Sequence, residues 1–315
     1  MISTYRLHIR PNSRWLHFDW HALWDYRDLL LIMIRRDFVA KYKQTLLGPA
    51  WFVIQPVITT LVFTVIFGGV AHIPTGNVPH PLFYLSGLLG WQYFATNFAT
   101  TSSVLASNAY LFGKVYFPRL VPPLATIISN LFTVFVQIGT LLVFYLFYKY
   151  FTRVYSLGLT LWYVLVGRTP SSGSLALAMS EHLGKAADTF GMRWEIVFLP
   201  LIILQIAVLS LGVGLWMSAL TVTYRDFSHL MGFLTQLWMY ATPVVYPLTQ
   251  IPQKWRWVSL LNPMTMPVES IKYVFLGVGF VHPVYVAVSA SITVAATLSG
   301  IMVFQHVERT FIDTI

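Results

Sequence analysis

The feature that most constrains this chain is a long stretch of sequence without charge. Between Gln44 and Gly113 there is no Asp, Glu, Lys or Arg. Such a stretch fits a lipid environment, because the water-facing surface of a soluble domain carries charged side chains. It is too long for one span and is interrupted at residues 72–81 by HIPTGNVPHP, whose Pro, Gly and Asn content predicts a loop. The sequence therefore predicts two spans, at about 49–70 and 82–104.

The rest of the chain extends this pattern. The composition is 57% hydrophobic and 10% charged, and further apolar windows occur at about 124–148, 196–220, 230–247 and 283–304. The predicted fold is an all-α polytopic membrane protein with six transmembrane helices. Residues 1–47 form a cytoplasmic N-terminal segment and 48–315 the transmembrane domain, with an external insertion at 150–195.

An N-terminal amphipathic helix is predicted over about 23–43. Its apolar residues recur every three or four positions, which places them on one stripe. They are Leu23, Tyr26, Leu30, Ile34, Phe38 and Tyr42. A basic amphipathic helix that leads directly into a span is typical of a helix lying on the membrane surface. The alternative is an ordinary helix of a soluble core, which the following span disfavours.

The sequence of residues 248–282 does not fit a membrane-crossing helix. They contain several Pro and Gly residues and charged side chains, and no apolar window long enough to cross a bilayer. Two short helices, at about 253–261 and 266–276, fit an external re-entrant hairpin that dips into the membrane before the last span.

The distribution of basic residues sets the orientation. The first 45 or so residues hold eight of the twenty Lys and Arg, and the loop at 72–81 holds none. The positive-inside rule then places both termini in the cytoplasm. We attribute the net charge of +9 to basic residues that set the membrane orientation and attract lipid headgroups. No nucleic-acid partner is expected.

Several kinds of chemistry are disfavoured by the sequence. The chain has no Cys, and its nine His show no metal-ligand spacing such as HExxH. No GxxxxGK[ST] phosphate loop occurs, so the chain is not expected to hydrolyse ATP by itself. The spans lack the ionisable groups that ion-coupled carriers use. We expect no catalytic residues, no metal and no cofactor bound by this chain.

Three blocks of sequence resemble a known family. They are RRDFVAKYKQTLLGPAWFVIQP, TVTYRDFSHLMGFLTQLWMYATPVVYP and LLNPMTMPVESIKYVFLG. In this order on a six-span plan, they resemble ABC-2 type permeases that export polysaccharides such as O-antigen, capsule or teichoic acid. The insertion at 150–195 departs from that family, in which this external loop is short.

The resemblance implies an assembly and a substrate. It implies a homodimer in the bacterial inner membrane, joined by two ABC nucleotide-binding subunits that hold ATP and Mg. The substrate would be an undecaprenyl-pyrophosphate-linked glycan, moved through a channel between the two permease copies.

The resemblance also assigns roles to residues near the predicted cytoplasmic face. The segment 105–121 resembles the part that contacts the ATPase, with candidates Tyr110, Leu111, Phe112, Lys114, Tyr116 and Arg119. A plain basic loop is the alternative. A second contact would be formed by Tyr224, Arg225 and Asp226, for which a helix cap is equally expected. The lipid pyrophosphate would enter at Arg35, Arg36, Lys41 and Lys43, unless these residues only attract anionic lipid.

Aromatic residues are the candidate glycan contacts, because their faces pack on sugar C–H surfaces. They are Tyr84, Trp91, Tyr93, Phe94, Phe98, Trp238 and Tyr240. The alternative is core packing or lipid contact. The hairpin resembles an external gate, with Trp255, Trp257, Asn262, Pro263 and Glu269 as its candidate residues. The two Trp could equally be interfacial anchors, and Glu269 is expected to pair with Lys272 or with a group of the partner subunit.

Two other functions stay open at this point. An ABC-2 permease for a small lipophilic compound has the same charge-free spans. A polytopic glycan-processing enzyme would need clustered carboxylates, for which only Asp25, Asp28 and Asp37 are candidates.

Overall fold

The computed structural model describes residues 20–43, 48–76, 78–112, 114, 117–151, 154, 158, 190–224 and 226–311. Most of the predicted insertion at 150–195 lies outside these residues. Within them, the secondary structure is helical and contains no strand. The helices are α1 (Trp20–Asp25), α2 (Arg27–Tyr42), α3 (Trp51–Phe63), α4 (His80–Ser102), α5 (Val104–Ser107), α6 (Ala109–Phe112), α7 (Val121–Leu146), α8 (Leu199–Thr223), α9 (Phe227–Ala241), α10 (Gln253–Leu261), α11 (Thr265–Leu276) and α12 (Pro283–Phe311).

Four helical segments in the described ranges are long and apolar enough to cross a membrane. They are Trp51–Val70, Val121–Phe151, Trp194–Thr223 and Pro283–Val307. The first two are α3 and α7, each extended by π-helical turns, and the third is α8 preceded by a 3₁₀ turn. These segments correspond to the predicted first, third, fourth and sixth spans. Helices α4 and α9 are not among them.

Helix α4 has 23 residues and lies at the centre of the fold. It packs against α3, α7, α8 and α11, and most of its side chains are buried by these neighbours. Its surroundings are therefore mainly protein, which explains why its sequence is less apolar than that of the four segments above. At about 1.5 Å per residue it is long enough to cross a bilayer.

Helix α9 is shorter than the predicted span at 230–247. It has 15 residues and ends at Ala241. Pro243 explains this end, because the residue before a proline is disfavoured in helical conformation, and Thr242 is extended with φ −101° and ψ 140°. The prediction extended this helix too far.

The predicted pair of short helices is confirmed as α10 and α11. Helix α10 spans Gln253–Leu261 and α11 spans Thr265–Leu276. Helix α11 ends at Gly277, whose positive φ of 71° is the left-handed conformation that glycine adopts readily.

Helices α8 and α12 approach each other backbone to backbone. A Cβ atom on Gly300 would lie 2.2 Å from the carbonyl oxygen of Gly212, which leaves no room for a side chain. Small residues at such a crossing allow the close packing that holds helices together in lipid. Helices α3, α7, α9 and α11 pack on α4, and α2 packs in turn on α7.

Candidate functional site

The N-terminal amphipathic helix and the predicted coupling segment form one apolar cluster. Met33 of α2 is buried together with Phe117, Val121 and Ala125. Phe117 precedes α7, and the other two lie in its first two turns. Partly buried side chains surround these four residues. They are Leu23, Tyr26, Leu29, Leu30, Ile34, Leu111 and Phe112. The predicted stripe thus packs on protein along α7, and four of its six members belong to this cluster.

The predicted coupling residues divide into two groups. Tyr110 is 74% exposed, and the ammonium of exposed Lys114 donates a hydrogen bond to its hydroxyl. Leu111 and Phe112 are half-buried in the cluster, and the guanidinium of buried Arg119 lies 5.4 Å from the Phe112 ring centroid. Of the described candidates between residues 110 and 119, Tyr110 and Lys114 are therefore the exposed ones.

Four coupling candidates remain, and two of them, Tyr224 and Asp226, are described at the turn between α8 and α9. Tyr224 and Asp226 are both exposed, and the Tyr224 ring lies 6.2 Å from that of Phe227. Arg225 and Tyr116 lie outside the described residues. Asp226 occupies the N-cap position of α9, but its side chain makes no capping hydrogen bond to the helix.

The predicted pyrophosphate entry lies along α2. Arg36 is half exposed and donates to Asp37 Oδ1, with a distance of 2.9 Å from Nη2. Asp37 Oδ2 also accepts a hydrogen bond of 3.4 Å from the Thr126 hydroxyl, which joins α2 to α7. Arg35 and Lys43 are exposed, and the side chain of Lys41 lies outside the described part.

The five predicted glycan-contacting aromatics of α4 lie inside the helical core. Each is at most 4% exposed, and they are Tyr84, Trp91, Tyr93, Phe94 and Phe98. Phe94 and Phe98 stack at 5.7 Å, and half-buried Trp238 lies edge-on to Phe94 at 4.9 Å. Tyr240 is exposed. Within this chain, the α4 rings and Trp238 pack on each other and on neighbouring helices.

A polar cavity of about 380 Å³ lies between α3, α4 and α7. Its polar lining consists of Gln55, Gln92, Tyr93, Thr96, Asn130, Thr133 and Gln137. The Gln137 side-chain amide donates to Gln92 Oε1 at 2.7 Å, and the amide of Asn130 donates to Asn97 Oδ1 at 2.6 Å. None of the predicted site residues except Tyr93 lines this cavity. Amides recurring inside charge-free spans are the signal that could have indicated it.

An apolar cavity of about 440 Å³ lies on another side of α7, toward α8. Tyr93 and Val134 line both cavities. The rest of its lining is aliphatic apart from Pro200 and Phe135, with Ile128 and Leu204 as examples. Helix α7 therefore presents amides and hydroxyls to one cavity and hydrocarbon to the other.

Asn262, at the predicted turn between the gate helices, joins that turn to α9. Its Oδ1 accepts hydrogen bonds of 3.0 Å from the Trp238 indole and from the Met264 backbone N–H. Its Nδ2 donates to Thr242 Oγ1 at 2.9 Å. The carbonyl of Pro263 accepts a 2.7 Å bond from the Ser289 hydroxyl of α12. Trp255 and Trp257 of α10 are exposed.

Glu269 pairs with Lys272, as the sequence predicts. The two side chains are 1% and 0% exposed, and Lys272 Nζ lies 3.4 Å from Glu269 Oε1. Lys272 also donates to the carbonyl of Pro243 and lies 4.0 Å from the Phe83 ring centroid. Glu269 Oε2 accepts a 2.9 Å bond from the Phe280 N–H. These contacts join α11 to α4 and to the segments after α9 and before α12.

Among the residues that the structure describes, no three His, Asp or Glu side chains come together as a metal site would require. The arrangement combines the exposed side chains of Tyr110 and Lys114, polar and apolar cavities between the helices, and two short helices joined to their neighbours by polar contacts.

Comparison with known proteins identifies the class to which this arrangement belongs. The model of the ABC-2 type transporter family matches residues 28–276, which is most of the chain. The chain therefore belongs to the ABC-2 type transporter family and is a multi-pass membrane protein. The resemblance stated from the three sequence blocks is confirmed.

Individual relatives carry a more specific name. The chain is 28% identical over 256 residues to the O-antigen export system permease protein RfbA of Myxococcus xanthus, covering 80% of this chain and 82% of the relative. It is 24% identical over 286 residues to the protein of that name from Klebsiella pneumoniae, covering 91% and 94%. The similarity thus extends over nearly the whole length of these permeases.

Proposed function

We propose that this chain is the membrane-spanning permease subunit of an ATP-driven exporter of lipid-linked, O-antigen-like polysaccharide. The observation that carries the proposal is the near full-length similarity to proteins named as O-antigen export permeases, within a family match over residues 28–276. In this proposal the chain forms the membrane passage for the glycan, and a separate subunit hydrolyses ATP.

The proposed assembly is a homodimer with two separate ABC subunits that bind ATP and Mg. Exposed Tyr110 and Lys114 support a contact with these subunits, because both project from the end of α6 next to the apolar cluster around Met33. A surface that projects from a fixed base can transmit movement from a bound partner. The turn at Tyr224 and Asp226 is the proposed second contact.

In the proposed topology the chain crosses a bacterial inner membrane six times and both termini are cytoplasmic. Helices α4 and α9 supply the second and fifth crossings, with α9 completed by the turns at residues 242–247. Helices α10 and α11 form the re-entrant hairpin. Its support is the dense polar bonding at Asn262 and Glu269, because backbone and charge at membrane depth require internal partners.

The proposed substrate is a glycan on undecaprenyl pyrophosphate. Arg35 of α2 and Lys43, which directly follows it, are exposed and could attract the pyrophosphate, whereas Arg36 already binds Asp37. Tyr240 is exposed and could contact the glycan directly. The buried aromatics of α4 could do so only after assembly with the second copy or a conformational change exposes them.

A small lipophilic substrate is the second candidate function. The apolar cavity of about 440 Å³ favours it, because such a cavity fits a hydrocarbon compound as well as a lipid tail. For glycan processing, by contrast, one of the three candidate acids, Asp37, is engaged with Arg36 and Thr126.

The test is deletion of this chain in its own host. Deletion should remove the polysaccharide from the cell surface and cause finished lipid-linked glycan to accumulate inside, and the wild-type chain should reverse both effects. Loss of sugar polymerisation in place of accumulation would indicate a processing enzyme. ATP hydrolysis stimulated by lipophilic compounds, without any effect on glycan, would indicate the second candidate function.

A further inference from the structure

The polar cavity between α3, α4 and α7 combines amide and hydroxyl groups with apolar side chains in its lining. Amides and hydroxyls from all three helices converge on it, and none of its described lining residues is charged. Its volume of about 380 Å³ falls in the roughly 300–1,000 Å³ range of small-molecule sites. A space of this size and polarity can hold a ligand rich in hydrogen-bonding groups.

One polar atom of a residue that lines the cavity, Gln137 Oε1, has no hydrogen-bond partner. The Gln137 side chain is 5% exposed and its Nε2 donates to Gln92, whereas its Oε1 is buried. An unpaired polar atom inside a bilayer costs several kcal/mol. Water or a ligand hydroxyl within the cavity would supply the missing donor.

The lining defines the chemical class of such a ligand. A charged group would find no counter-ion among the lining residues, whereas amides both donate to and accept from hydroxyls. Trp51, Phe52 and Tyr93 add ring faces that can pack on C–H surfaces. An uncharged sugar has both properties.

The position of the cavity in the chain relates it to the lipid. Gly48 lines it, five residues after Lys43 at the end of the basic helix α2. Its lining also shares Tyr93 and Val134 with the apolar cavity on the other side of α7. A molecule with an anionic group, a sugar and a hydrocarbon chain would find a matching surface for each part.

We propose that the polar cavity binds an uncharged sugar unit of a lipid-linked glycan. Gln55, Gln92, Gln137 and Thr133 supply the hydrogen bonds. This inference rests on the proposed export function and adds a binding site that the channel aromatics do not include.

Replacing the amide pair tests the hydrogen bonds. Gln92→Leu with Gln137→Leu keeps the side-chain volume and removes the pair, and glycan should reach the surface about tenfold more slowly. Gln205→Leu is the matched control, because Gln205 makes a 2.8 Å bond with Ser289 between α8 and α12, away from the cavity. Equal loss of export in both variants would show that the amides only hold helices together.

Photo-crosslinking tests occupancy directly. A benzoyl-phenylalanine analogue at exposed Gln55 should form an adduct with glycan in exporting cells, and the same analogue at exposed Leu298 of α12 should not. An adduct between two copies of the chain would instead make this surface a dimer contact and overturn the sugar site. So would the absence of a glycan adduct at Gln55 while the wild-type chain exports glycan. Failure of the wild-type chain to export any glycan would refute the proposed function itself.

Discussion

Replacing Lys272 with Met should strongly destabilise the protein. The Lys272 ammonium is completely buried, 3.4 Å from Glu269 Oε1, and it also donates to the carbonyl of Pro243. At this distance, an effective dielectric constant of ~20 gives an attraction of about 5 kcal/mol. Removing one member of a buried pair leaves the other charge uncompensated and costs about 3–5 kcal/mol.

The measurement is the midpoint temperature of thermal unfolding of the detergent-purified protein. The fraction of protein that stays monodisperse after heating is the signal that reports unfolding. A loss of this size corresponds to a fall of roughly 6–20 °C. The double variant Glu269→Gln with Lys272→Met should unfold at a higher temperature than Lys272→Met alone. The reason is that it buries no lone charge, and Gln still accepts the bond from the Phe280 N–H.

The exposed pair Arg27 and Asp28, 4.0 Å apart, supplies the control. Arg27→Met should change stability by less than about 1 kcal/mol, because exposed ion pairs contribute little. If Lys272→Met unfolds within about two degrees of the wild-type protein, the reasoning about the buried pair is wrong.

Three further predictions follow from the packing of the helices. Gly300→Leu should abolish the monodisperse peak in size-exclusion chromatography, because α8 leaves no space there, whereas Gly139→Ala, with open space around it, should leave the peak unchanged. Tyr110→Ala with Lys114→Ala should leave the unfolding temperature unchanged and reduce glycan export per ATP hydrolysed by the complex; normal export would contradict the coupling role. Phe98→Ala should lower stability by about 3–5 kcal/mol in the same unfolding assay, since its ring is buried against Phe94, and unaltered stability would contradict its place in the core.

The sequence predicted the helices well where local chemistry decides the structure. The α10 and α11 boundaries follow from the prolines and glycines around them, and the amphipathic stripe of α2 follows from its spacing. The predicted span at 230–247 continues past the observed end of α9 at Ala241. It does so because residues 242–247 are apolar, although Pro243 disfavours a helix there.

The candidate site was harder to predict, because it depends on which face of each helix meets another helix. The hydropathy of Phe94 and Phe98 is the same whether they line a channel or fill a core, and the structure places both in the core of this chain. The polar cavity is the opposite case. Its amides are separated widely along the sequence, and only the packing of α3, α4 and α7 brings them to one place.

The shared cluster of α2 and the coupling segment has a mechanical consequence. Met33 and Phe117 are buried in the same cluster. One turn further along α2, Asp37 accepts a hydrogen bond from Thr126 of α7. Leu111 and Phe112, which follow Tyr110, belong to this cluster, so displacing them would either move α2 as well or separate it from the cluster. Since Arg35 lies on α2 and Lys43 directly follows it, any movement of this cluster would also change the position of these exposed basic side chains.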